Sequence, residues 1–154
     1  MVVLDARRFD EYQTMSIPTG VSVPGAELVL RARALAPNPK TRIVVNCAGR
    51  TRSIIGTQSL VNAGLPNPVA ALRNGTMGWE LAGLECDRGK TARFPAGTPK
   101  TLDLALARAK AFADESGVRV VGAAEFRAFE ADASRTLYVL DVRDPDEFKA
   151  GHRA

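Results

Sequence analysis

The stretch Arg42-Ile43-Val44-Val45-Asn46-Cys47-Ala48-Gly49-Arg50-Thr51-Arg52-Ser53-Ile54-Ile55 decides how this chain is read. Residues 42–46 form an unbroken run of the kind that lies buried in the middle of a parallel sheet. Residues 53–63 carry helical spacing and close at Gly64. The segment between leaves a buried strand with a thiol, turns through a glycine and enters a helix. Such a loop points consecutive backbone N–H groups inward, and together with the helix dipole they make a nest for an anion. A cysteine at the head of such a loop has its pKa lowered, so Cys47 is expected to be substantially thiolate at neutral pH. Ala48, Gly49, Arg50, Thr51, Arg52 and Ser53 supply the rest of the cradle, and the two arginines suit a dianionic substrate that must approach a negative sulfur. The alternative is a small buried hydrophobe ending a core strand, as most free cysteines are. The glycine and two arginines crowded after Cys47 favour a reactive site.

Working outward, strands are expected over residues 2–5, 21–23 and 69–72, and helices over 26–36 and 76–82. This alternation is the order of an α/β domain with a mostly parallel sheet. From Glu85 the composition changes, and Gly89, Pro95, Gly97 and Pro99 punctuate a stretch without a period. The expected organisation is a domain over residues 1–85 that carries the loop, a linker over 86–100 and a connecting helix over 101–116. Thr101 is its expected N-cap, with Leu102, Leu106, Ala109, Phe112 and Ala113 on one face. Residues 117–154 then read as strand (118–121), helix (123–131) and strand (137–141).

Comparing the ends of the chain exposes an internal repeat. Val3-Leu4-Asp5-Ala6-Arg7-Arg8-Phe9-Asp10-Glu11-Tyr12 aligns, at an offset of 136, with Val139-Leu140-Asp141-Val142-Arg143-Asp144-Pro145-Asp146-Glu147-Phe148, and six of ten positions are identical. The match falls at a strand-to-helix junction in both places. Self-similarity of this kind marks repeated structural units, so residues 117–154 are expected to begin a second unit like the first.

At 154 residues the chain has room for about one domain, or one domain plus a piece, but not for several full domains. Apolar residues at 45% and charged residues at 25% exclude a wholly disordered or collagen-like chain. The net charge is only +4, no Lys/Arg run reaches five residues and aromatics are 6%, so a nucleic-acid partner is not expected, whereas small anions are. Two cysteines make no disulfide framework, Met1 leads into no signal-peptide core, and no apolar run approaches ~18 residues. A cytoplasmic protein with reduced thiols and no membrane partner is expected, and no metal or cofactor is called for.

The six-residue loop from Cys47 to Arg52 resembles the active-site loop of the rhodanese sulfurtransferases. Leu4-Asp5-Ala6-Arg7 with Asp10-Glu11-Tyr12 is similar to that family's opening strand and acidic-aromatic turn. Ile17-Pro18-Thr19-Gly20-Val21-Ser22-Val23-Pro24 is similar to its next segment, and Arg73-Asn74-Gly75-Thr76-Met77-Gly78-Trp79 to its glycine-rich, tryptophan-bearing helix. Residues 118–152 again resemble the start of a rhodanese unit, as in tandem sulfurtransferases. Two departures stand out: the first unit lacks the short strand and helix that normally precede the opening strand, and it has Met15-Ser16 where the family often has the glycine and histidine seen here as Gly151-His152.

The resemblance implies a rhodanese-like parallel sheet with helices on both faces, plus the start of a second such unit that stops short. It also implies a double displacement. Cys47 takes the outer sulfur of a thiosulfate-like donor, sulfite departs, and the persulfide passes its sulfur to cyanide or a thiol. Trp79 is a candidate pocket residue, with core packing as the alternative. Cys86 reads as an incidental thiol, His152 as a solvated residue, and Asp5 as a structural partner of Arg7 or of the loop. Two other functions compete: a persulfide carrier or interaction module, and a cysteine phosphatase or arsenate reductase. The latter enzymes space their residues C-x5-R, whereas Cys47 to Arg52 is C-x4-R. Residues 118–131 are expected to complete the first unit's sheet, from the same chain or across a domain-swapped homodimer.

Overall fold

The computed structural model describes residues 1–143 and 145–152 and divides into two compact units, Met1–Val118 and Arg119–Ala154. The first unit contains β1 (Val2–Asp5), α1 (Phe9–Thr14), β2 (Val21–Ser22), a 3-10 turn (Gly25–Glu27), α2 (Leu28–Leu35), β3 (Ile43–Asn46), α3 (Thr51–Asn62), β4 (Val69–Ala71), α4 (Gly75–Leu81) and α5 (Pro99–Glu115). All strand pairs are parallel, in the order β2-β1-β3-β4. The chain therefore runs from β1 outward to one edge and returns to lay β3 on β1's other side. The order reverses between β1 and β3, and in open parallel sheets the crevice beyond the strands' carboxyl ends at that reversal is where ligands bind. Asp5 and Asn46 end these two strands as a register pair, which puts Cys47 at that crevice.

The core forms because alternate strand residues meet helix residues at helical spacing. Leu4, Val23, Ile43 and Val45 pack with Leu28 and Ala32 of α2 and Leu60 of α3, all with no exposed surface. Truncating one such leucine costs ~2–5 kcal/mol. Helix α3 packs on β3, β4 and α2, and Gly56 makes that approach possible, since a Cβ there would collide with Leu28 Cδ1.

The stretch expected as a linker lies against the first unit. Asp87 and Ser16 exchange backbone hydrogen bonds of 2.8 Å each, and Ser22 donates to Ala92 at 3.0 Å. Segment 87–93 thereby occupies backbone groups beside the short edge strand β2, while Phe94 packs on the core beneath Arg31. Helix α5 starts earlier than the sequence indicated. Thr98, not Thr101, is the N-cap, its Oγ1 accepting from Thr101 N at 3.3 Å. Pro99 at the first helical position makes this the better start, because it has no N–H to leave unsatisfied.

In the second unit α6 (Ala123–Ala131) has the expected bounds, and α7 (Pro145–Ala150) follows. The strands expected over 118–121 and 137–141 do not form, and Val120 and Leu140 are 93% and 83% exposed. A strand persists only where its N–H and C=O groups are paired along an edge. The described sheet consists of β1–β4 alone, with no strand from residues 118–121 of this chain. The repeat is nevertheless visible in three dimensions. Helix α7 spans the positions of α1 plus 136. Arg7 grips the Asp5 carboxylate and donates to the Met15 carbonyl. Arg143 grips Asp141 and donates to the Gly151 carbonyl in the same way, again at plus 136.

Candidate active site

Cys47 follows β3 and is only 2% exposed. Its thiol donates to Ser53 Oγ at 3.3 Å, and the Ser53 hydroxyl donates to the Arg50 carbonyl at 2.9 Å. Among the described residues, none of the amide N–H groups of residues 48–53 has a protein acceptor. Those of Thr51, Arg52 and Ser53 are unpaired because they open α3, where no earlier turn exists to accept them. The loop's carbonyls are instead taken: Thr76 N donates to Cys47 O at 2.9 Å and Met77 N to Ala48 O at 3.0 Å. With its acceptors tied to the first turn of α4 and its donors free, the loop has the polarity that an anion needs.

The close approach of α4 depends on Asn74-Gly75. Asn74 and Gly75 take left-handed φ of 57° and 55°, and a Cβ on Gly75 would collide with the Cys47 carbonyl oxygen. Asparagine and glycine are the residues that adopt this conformation at least cost. A buried polar chain supports the loop from below. Arg7 donates through Nε and a terminal nitrogen to both Asp5 oxygens at 2.9 and 2.8 Å. Asn46 Nδ2 donates to Asp5 Oδ2 at 2.8 Å and to Thr76 Oγ1 at 3.1 Å, and that hydroxyl donates to Cys47 O at 3.2 Å. Asp5 thus both orients Arg7 and, through Asn46 and Thr76, holds the loop.

The two loop arginines are used differently. Arg52 makes a two-pronged ion pair with Glu11 of α1, at 2.6 and 2.8 Å. The hydrogen bond from Arg52 holds the Glu11 carboxyl below its usual range, and the reciprocal bond raises Arg52. Arg50 is exposed and, among the described residues, engaged through Nε alone, which donates to Asn74 Oδ1 at 3.0 Å. A depression of about 350 Å³ opens beside the loop, with Arg50, Ser53, Arg73 and Asn74 supplying its polar lining and Ile54, Ala71 and Leu72 its apolar lining.

The structure thus brings Cys47, Arg50, Thr51, Arg52 and Ser53 together with Ala48 and Gly49. Trp79 is not part of the depression's lining; its indole donates to the Glu85 carbonyl at 2.8 Å and pins the chain after α4. Burial, assisted by the Glu80 carboxylate, pushes the Cys86 thiol up, and His152 stacks on Phe148 in the second unit. Glu11, Asn74 and Thr76 contact the loop and Arg73 lines the depression beside it, roles that their place in the quoted motif segments did not indicate. Asn74-Gly75 carried a turn signal; the pairing of Glu11 with Arg52 left none.

Residues 1–82 match the sequence profile of the rhodanese-like domain. The crystal structure of thiosulfate sulfurtransferase from Pseudomonas aeruginosa is similar at 63% identity and a TM-score of 0.88, over 98% of this chain and 29% of that one, so this chain spans 29% of that protein's length. The solution structure of a rhodanese-like domain from Anabaena sp. aligns at 24% identity and a TM-score of 0.52, over 64% of this chain and 73% of that one, a likeness in fold alone. Comparison with curated protein sequences gave no match. No helix among the described residues is long and apolar enough to cross a membrane.

Proposed function

Because this chain belongs to the rhodanese-like family, we propose that it is a sulfurtransferase that carries a sulfane sulfur from a thiosulfate-type donor to a thiol or cyanide through a persulfide on Cys47. The observation that carries this reading is the set of N–H groups of residues 48–53, unpartnered among the described residues, in the loop that Cys47 opens just after β3. In the first displacement the Cys47 thiolate attacks the outer sulfur of thiosulfate. The new Sγ–S bond forms as the old S–S bond breaks, and its electron pair leaves with sulfite. The acceptor then attacks the outer sulfur of the persulfide, the Sγ–S bond breaks, and its electron pair returns to Cys47. Cyanide would leave as thiocyanate and a thiol as its hydropersulfide.

The chain's own groups serve both half-reactions. When Cys47 is ionised, the Ser53 hydroxyl can turn from the Arg50 carbonyl and donate to Sγ, while the loop N–H groups, without protein acceptors among the described residues, are available to the negative charge as it moves to the outer sulfur. Arg50 and Arg52 attract the dianionic donor. Residues 86–100 and 101–116 connect this domain to residues 117–154, which we read as the start of a second such unit; the Asp141–Arg143–Gly151 arrangement supports this.

Intact mass spectrometry tests the site and the chemistry together. Incubation with thiosulfate should add the mass of one sulfur atom, and cyanide should remove it. A Cys47→Ser variant that still gained the sulfur would overturn the assignment.

A further inference from the structure

We propose that the depression beside Cys47 selects small acceptor thiols that carry a carboxylate, and that Arg73 is the residue that reads this charge. The inference rests on the sulfurtransferase reading and names the substrate class of its second half-reaction.

Topology places Arg73 next to the nucleophile. Val45 of β3 and Ala71 of β4 are a register pair, and Leu72 N donates to Val45 O at 2.8 Å. Cys47 and Arg73 each stand two residues beyond that pair, just past the ends of β3 and β4, whose paired residues lie on strands ~4.8 Å apart. Among the described residues Arg73 has no hydrogen-bond or ion-pair partner, and Arg50 leaves its terminal nitrogens unused. Two guanidinium groups without counter-charges therefore share a depression whose apolar wall is Ile54, Ala71 and Leu72, with Ser53 and Asn74 completing its polar side. Its volume, about 350 Å³, is at the small end for ligand pockets (~300–1,000 Å³). A cation pair beside a short apolar wall fits a thiol whose carboxylate is separated from sulfur by a few methylenes. Cys47 is not itself in the lining, but Ser53 lines the depression and contacts Sγ; the acceptor's carboxylate would rest on Arg73 with its sulfur on the Ser53 side, toward the persulfide. In that step the acceptor thiolate bonds to the outer sulfur, the Sγ–S bond breaks, its electron pair stays on Cys47, and the hydropersulfide of the acceptor leaves; no oxidant is consumed.

The test compares 3-mercaptopropionate with 2-mercaptoethanol as acceptors for protein already loaded from thiosulfate, with rates expressed per thiolate present. The wild-type protein should favour the carboxylate by about fivefold, the upper end for one solvent-exposed ion pair. Arg73→Gln should abolish that preference and Arg73→Lys should retain most of it. Equal use of both thiols by the wild type, or an Arg73→Gln variant that keeps the wild-type ratio, would overturn the inference. A second arm needs no sulfur transfer: alkylation of unloaded Cys47 by iodoacetate relative to iodoacetamide, followed by peptide mass mapping, should fall in Arg73→Gln. Failure to load with an intact alkylation preference would reject the sulfurtransferase reading while supporting the anionic subsite, and an unchanged alkylation ratio would reject the subsite.

Discussion

The Glu11 carboxylate accepts two hydrogen bonds from the Arg52 guanidinium, across 41 residues of sequence. Glu11 lies on the helix that follows β1 and Arg52 on the helix that follows β3, so the pair staples together the two segments that leave adjacent strands at the reversal of the sheet. It also means that one of the two cations of the loop is already matched. Glu11 in addition accepts from its own helix start, Arg8 N, at 3.3 Å.

Glu11→Gln should lower stability by ~1 kcal/mol or less, since both side chains are part-exposed and solvent screens the pair. The Glu11 pKa is lowered in the fold, chiefly by the Arg52 hydrogen bond. The contribution is therefore complete above the ordinary glutamate value of ~4.3 and lost as pH falls through the depressed folded value. Thermal melting of wild type and variant should differ at neutral pH and converge in acid. A difference that grew on acidification would contradict the pairing.

Arg50 and Arg52 should not be equivalent toward the donor. With no counter-charge of its own, Arg50 is expected to matter more: Arg50→Ala should raise the thiosulfate needed for half-maximal loading about tenfold, the scale of one charge-assisted hydrogen bond, and Arg52→Ala by less. Added salt should weaken loading of the wild type over a screening length of ~8 Å. Equal effects of the two substitutions, measured by loading kinetics, would show that Glu11 does not offset Arg52.

The repeated Asp-Arg clamp offers a matched comparison. Asp5 and Arg7 are buried, so Asp5→Asn strands a guanidinium without its counter-charge and should cost ~3–5 kcal/mol in denaturant unfolding. In the second unit Arg143 holds the Asp141 carboxyl down at about 2, but Asp141 is exposed. Asp141→Asn should leave the main unfolding transition in place. Comparable losses from the two would mean that burial does not set the cost.

Gly75→Ala tests the contact between α4 and the loop. A left-handed alanine costs ~1–2 kcal/mol by itself, and the added Cβ must also displace the Cys47 carbonyl. Sulfur loading should fall far more than stability, because the shift is delivered to the backbone of the nucleophile. Loading at the wild-type rate in a folded variant would show that the loop tolerates rearrangement there.

Much of this was legible in the sequence because it is local. The β-branched run before Cys47, the glycine after it and the helical spacing from Ser53 onward dictate strand, loop and helix from near neighbours alone. The α/β class follows from the same alternation, and the repeat announces itself because Asp-x-Arg and the acidic pair recur at a fixed offset. Helix bounds at 123–131 likewise came from pattern.

The tertiary structure decided what depends on partners distant in sequence. Residues 118–121 and 137–141 have the composition of strands yet form none, because a strand exists only where another edge satisfies its backbone. Residues 87–93 look like a linker by composition, but their backbone bonds lie beside β2. Arg52 reads as a free cation until α1 brings Glu11 to it, and Arg73 becomes a neighbour of Cys47 only through the register of β3 with β4. Sequence periodicity encodes which face of an element is apolar; it does not encode which polar groups meet when those faces are buried.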